Sequence, residues 1–150
     1  MGQINVGRVI AGGLLAGLVI NISETILNLF VVAAPMAAAL KARNLPEVGG
    51  SAIGVFVLLC FGLGISLIWL YAAIRPRYGA GPMTAICAAA AVWWFAFVFP
   101  QIGNVVMGFF PAGVTTLSTL WGLAEIVLGA LVGARVYQEQ PAKSSTRAVI

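Results

Sequence analysis

The sequence predicts an all-α integral membrane protein: a four-helix antiparallel bundle with both termini cytoplasmic. Three observations lead there. Hydrophobic residues make up 61% of the 150-residue chain and charged residues 8%, with a mean hydropathy of +1.05. That leaves too little polar surface to coat a soluble globule of this size. Four apolar runs reach the roughly 20 residues that cross about 30 Å of hydrocarbon at 1.5 Å per residue. Finally, Arg8, Arg75, Arg77, Arg135, Lys143 and Arg147 fall on one side of such a bundle and only Lys41 and Arg43 on the other. Basic loops stay in the cytoplasm.

The runs lie at 9–31, 52–74, 83–109 and 114–136. Together they form one bundle over 1–137, with the polar stretch "QEQPAKSSTRAVI" (138–150) expected to be a mobile tail. Alternating strands of a membrane barrel are a poor match to uninterrupted segments dominated by Ala, Leu and Gly. The first run follows Arg8 in the manner of a secretory signal, but it is too long for a signal core and carries Asn21 and Glu24, so it reads as a helix.

The links "LKARNLPEVGG" (40–50), "RPRYGAGP" (75–82) and "FFPAG" (109–113) are short enough to make successive helices antiparallel neighbours. Within "APMAAALKARNLP" (34–46), Pro35 suits the first turn of a short interfacial helix that Asn44, Leu45 and Pro46 would end. Pro100 is expected to kink or break the third run and free a carbonyl near residue 96. Trp69, Tyr71, Tyr78 and Tyr137 are expected at one interface, and Phe109, Phe110 and Trp121 at the other.

The chain has no His and four acids in all, Glu24, Glu47, Glu125 and Glu139, two of which fall inside apolar runs. Gly13, Gly17, Asn21, Glu24 and Asn28 recur at helical spacing on one face of the first helix. Gly122, Glu125, Gly129 and Gly133 do the same on the fourth. Small residues let membrane helices approach closely, so both acid-bearing faces are expected in helix contacts. Counting from Arg8 and Arg135 puts Glu125 about 15 Å deep, Asn21 about 20 Å and Glu24 about 24 Å. Asn21 is therefore the expected partner of Glu125. Gln101 and Asn104 reach the depth of Glu24 and Asn28, which predicts a polar cluster of these four above Glu125.

No zinc, haem or copper ligand set is legible without His, and no cofactor motif occurs. Ser-His-Asp catalysis lacks two of its residue types. Cys60 and Cys87 read as small buried hydrophobes at different depths. The net charge of +4 fits anionic lipid headgroups rather than nucleic acid.

The stretches "GRVIAGGLLAGLVINISETILN", "LYAAIRPRYGAGP" and "WGLAEIVLGALVGARVY" together resemble a group of short bacterial four-helix membrane proteins, a resemblance that covers most of the chain and implies no activity. Glu24 followed by Thr25 is similar to the first-helix acid of small multidrug resistance transporters, where such a residue binds protons and cationic drugs. This chain is longer, adds Glu125 and lacks that family's other motifs.

The sequence favours the first of two functions, neither enzymatic, and leaves the second as its alternative. The first is an accessory or structural subunit of the bacterial inner membrane, self-associating or part of a larger complex, whose acids are packing and hydrogen-bonding devices. The second is a small proton- or cation-coupled transporter using Glu24 and Glu125, helped by Asn21, Asn28, Gln101 and Asn104.

Overall fold

The computed structural model describes residues 3–139, so most of the tail expected over 138–150 lies outside the described residues. The protein is helical, and among the described residues four segments are long and apolar enough to span a membrane: Val6–Val31, Gly50–Tyr78, Pro82–Val106 and Ala112–Val136. The expected four-helix membrane architecture is what the chain adopts.

Helix α1 (Val6–Ile26) is capped by Asn5, whose side-chain oxygen accepts from the Arg8 amide at 3.2 Å. A π-helical turn at Leu27–Val31 extends it, and the chain then turns into the short helix α2 (Ala33–Ala42). Pro35 sits in the first turn of α2, where its missing N–H costs nothing. The helix stops where Asn44 takes a left-handed φ of 53°. The amide of Leu45 then bonds the Leu40 carbonyl, and that of Asn44 the Lys41 carbonyl, at 3.0 and 3.1 Å. This is a Schellman closure with Asn in place of Gly.

Helix α3 (Gly50–Tyr78) is 29 residues long and ends at Gly79, whose φ is 85°. The third span is helix α4 (Pro82–Trp93), a π-helical turn (Trp94–Val98) and helix α5 (Phe99–Val106). The break expected at Pro100 takes this form. Proline cannot donate, and the wider π turn lets the Phe99 amide bond the Trp94 carbonyl immediately before it. Helix α5 closes through Gly108, with φ 65°, in a second Schellman arrangement onto Asn104 and Val105. Helix α6 (Ala112–Val136) completes the bundle.

Glycine sets the packing of α1. A Cβ on Gly13 would stand 2.5 Å from Ile65 Cα, and one on Gly17 would stand 2.8 Å from Phe61 Cα, so α1 and α3 touch backbone to backbone. On its other side, a Cβ on Gly12 or on Gly133 would lie 2.6 Å from the other residue's carbonyl oxygen. Gly129 faces Ala16 one turn further along. These pairings run in opposite directions on the two helices, so α1 is antiparallel to α6, as it is to α3. Helix α4 closes the bundle against α6 and α3.

The core occupies one half of the bundle's length, that nearer the start of α1 and the end of α6, here called the terminal side. Ala16, Ile20, Leu67, Ile68, Ala85, Ala88, Ala89, Ile126 and Ala130 are fully buried there. Toward the far side α3 leaves its neighbours, and Ile53, Val55, Phe56, Leu58 and Leu59, on successive faces, are all exposed. Two expected interface residues belong instead to the core. Tyr71 and Tyr137 are buried and pack edge to face at 5.9 Å, whereas Trp69 and Tyr78 are exposed as an aromatic belt requires. Both cysteines are free thiols. Cys60 is half-buried, but Cys87 faces outward rather than into the core.

Candidate functional site

Glu125 is the fourteenth residue of the 25-residue helix α6, close to its middle, and only 1% of it is exposed. Its carboxyl faces the side chains of Ser23 and Glu24 on α1. Neither carboxyl oxygen has a hydrogen-bond partner of good geometry among the described residues. Among the described residues no basic side chain pairs with it. An unpaired polar group so buried costs about 1–3 kcal/mol, more if charged, which makes this the least satisfied point of the membrane interior.

The expected pairing of Glu125 with Asn21 does not form. The glycine register sets Glu125 near the level of Ile20 and Asn21, but side chains on a helix lean toward that helix's N-terminus. For α6 this direction is the far side, so the carboxyl reaches one turn past Asn21 to Ser23 and Glu24. Asn21 turns instead to the α1–α3 contact, donating to the Gly17 carbonyl at 2.9 Å and the Val57 carbonyl at 3.4 Å.

Glu24 is half-buried and accepts at Oε2 from Asn28 Nδ2 at 2.8 Å. The same Asn28 nitrogen also donates to the Glu24 carbonyl at 2.8 Å. The expectation that the whole Gly13 to Asn28 face lies in helix contacts is therefore corrected at its far end. Asn28 lies in the π turn and is exposed, because α3 begins near that level and leaves it uncovered.

Gln101 and Asn104 form a separate pair. Asn104 Nδ2 donates to Gln101 Oε1 at 2.7 Å on one turn of α5. No hydrogen bond joins them to Glu24 or Asn28 among the described residues, and α5 lies against α6. The single four-residue cluster is thus two pairs, each satisfied within its own helix.

Two residues of the site were not singled out from sequence. Ser23 Oγ accepts from Trp121 Nε1 at 2.8 Å, which ties α1 to α6 one turn from Glu125. Trp121, expected at the interface belt, is half-buried instead. The legible signal was Trp121 lying four residues before Glu125, on the same helical face. Next to it Gly122 receives the ring of Phe97, which comes from the π turn before Pro100. Trp93 Nε1 donates to the Thr119 carbonyl at 2.7 Å and fixes α4 to α6 at that level.

The arrangement is two carboxyl groups facing each other across the α1–α6 contact, one half-buried and paired with an amide, the other buried and unpaired. No family model, curated protein or solved structure matches this chain.

Proposed function

We propose that this protein is a small proton- or cation-coupled transporter of the membrane, not an enzyme, and that Glu24 and Glu125 are the groups that exchange the coupled ion. The observation that carries this reading is Glu125, buried at the middle of its helix and facing Glu24, with neither carboxyl oxygen in a hydrogen bond of good geometry among the described residues. An acid retained only to bridge helices would be hydrogen-bonded across them. An intramembrane acid left unsatisfied favours an ion-handling role.

The excess of Arg on the terminal side favours a cytoplasmic location for both termini in a bacterial inner membrane. The test is a flux assay in vesicles, comparing wild type with Glu24→Gln and Glu125→Gln. Loss of proton-linked flux in either variant with folding intact supports the reading, and identical flux in all three sinks it.

A second reading, an accessory subunit that self-associates or joins a larger complex, draws support from the unpacked far half of α3. The glycine faces do not add to it, since Gly12, Gly13, Gly17, Gly122, Gly129 and Gly133 are all occupied by contacts within the chain. Native mass spectrometry from mild detergent separates the two readings. Other chains at fixed stoichiometry would favour the subunit.

A further inference from the structure

We infer, resting on the proposed function, that the ion held at Glu125 is a proton and that it exchanges only with the far side of the bundle, through Glu24 and Asn28.

The identity of the ion follows from room and ligands. A metal cation requires several oxygen donors around an open centre, six or more for calcium and near-octahedral geometry for magnesium. Among the described residues no group of three or more His, Cys, Asp or Glu comes together here. The Glu125 oxygens are also shut off from any neighbouring space. Hollows of about 490 Å³ beside Leu70 and Phe95, and of about 660 Å³ beside Lys41 and Glu47, lie elsewhere. A proton needs neither a cavity nor a coordination shell. It needs an acceptor, and a second acceptor within reach to pass it on. Glu24 is that neighbour on α1, with Ser23 beside it; from α3 the only titratable group near both acids is the Cys60 thiol.

The direction follows from how burial changes along the helices. Moving toward the far side, Glu125 is buried, Glu24 half-buried and Asn28 exposed, so a chain of polar groups runs from the membrane centre to the surface. Toward the terminal side, Ala16, Ile20, Leu67, Ile68, Ile126 and Ala130 are each at 0% exposure. The backbones of Gly12 and Gly133 then close against each other. Among the described residues no buried polar side chain interrupts this plug before Tyr71 and Tyr137. Counting along α6 from Glu125 to Tyr137 makes it about 18 Å long, too far for a proton to cross without an intermediate carrier.

The experiment uses the wild-type protein in sealed vesicles of known orientation, with pH set independently on each side. The probe is dicyclohexylcarbodiimide, an apolar reagent that adds its whole mass to a protonated carboxyl, taking up the acid proton on one nitrogen as the oxygen bonds its central carbon. Adduct at Glu125 is read by peptide mass spectrometry. Raising pH on the far side should remove most of the Glu125 adduct, and raising it on the terminal side should leave the adduct unchanged. In Glu24→Gln the response to far-side pH should slow, and added sodium, potassium or magnesium at constant pH should not compete.

Adduct that follows terminal-side pH overturns the one-sided route. Competition by a metal cation overturns the proton. In either case the flux assay still stands as a separate test: Glu125-dependent flux with the wrong sidedness or the wrong ion would leave the proposed function intact and remove only this inference. Adduct indifferent to pH on both sides, together with unaltered flux in Glu125→Gln, removes both.

Discussion

Trp121 and Ser23 meet across the α1–α6 contact, the indole Nε1 donating to the serine hydroxyl at 2.8 Å. This is the side-chain hydrogen bond that joins these two helices within a turn of Glu125, and it holds Ser23 where the Glu125 carboxyl faces it. Replacing Trp121 by Phe keeps an aromatic ring and removes the donor. A hydrogen bond of this kind contributes about 1 kcal/mol. Trp121→Phe should therefore lower the thermal midpoint in detergent modestly. Ser23→Ala should cost a similar amount, and the double variant should cost less than the sum of the two. Additive losses would mean that the bond does not hold the helices together.

Glu125→Leu should stabilise the protein. The side chain is buried and its oxygens lack partners among the described residues, so an apolar residue of similar volume removes an unmet polar demand of about 1–3 kcal/mol. Glu24→Leu should bring no such gain, because the half-buried Glu24 carboxyl already accepts from the exposed Asn28 amide, which keeps its bond to the Glu24 carbonyl. Thermal unfolding in detergent reads both. A destabilised Glu125→Leu would show that the acid serves the fold.

Glycine substitutions divide by what a Cβ would meet. At Gly133 it would stand 2.6 Å from the Gly12 carbonyl oxygen and 2.7 Å from Ile68 Cδ1. Gly133→Ala must push α6 off α1, at a cost of about 1–3 kcal/mol. At Gly62, inside α3, a Cβ meets nothing within 4 Å. Gly62→Ala should be neutral, or stabilise by up to about 1 kcal/mol through the smaller entropy lost in helix formation. Equal effects at the two positions would overturn the close contact between α1 and α6.

The helices were legible because membrane spans and their ends are written in local chemistry. Hydropathy located the four spans, Pro35 and Asn44 bounded α2, and Pro100 marked the break that the π turn accommodates. The glycine faces were legible in part. Gly13, Gly17, Gly129 and Gly133 repeat at helical spacing, but Gly12 and Gly64 make contacts as tight and stand outside any such pattern. The site was less legible because depth counted along a backbone ignores the lean of a side chain. That lean carries the Glu125 carboxyl past Asn21 to Ser23 and Glu24. The i,i+3 spacing of Gln101 and Asn104 allows them to satisfy one another on α5, but which helix α5 lies against is decided by packing after the π turn and is not written in that spacing.

Tyr137 closes the terminal side of the bundle, and its ring and hydroxyl should separate cleanly. The ring packs edge to face on Tyr71 at 5.9 Å, and the Arg75 guanidinium lies 5.5 Å from its centroid. Arg75 also pairs with Glu139 at 3.9 Å, which holds the guanidinium beside the ring. The hydroxyl is buried without a partner among the described residues. Tyr137→Phe keeps both ring contacts and removes the unmet hydroxyl, so it should leave stability unchanged or slightly raised. Tyr137→Leu loses the aromatic pair and the cation–π contact, each worth about 0.5–1 kcal/mol or somewhat more, and should lower the thermal midpoint. Arg75→Ala should then cost less in the Tyr137→Leu background than in wild type, because the guanidinium no longer has a ring to cover. A fall in Tyr137→Phe equal to that in Tyr137→Leu would assign the stability to the hydroxyl instead and overturn the ring's role at this end.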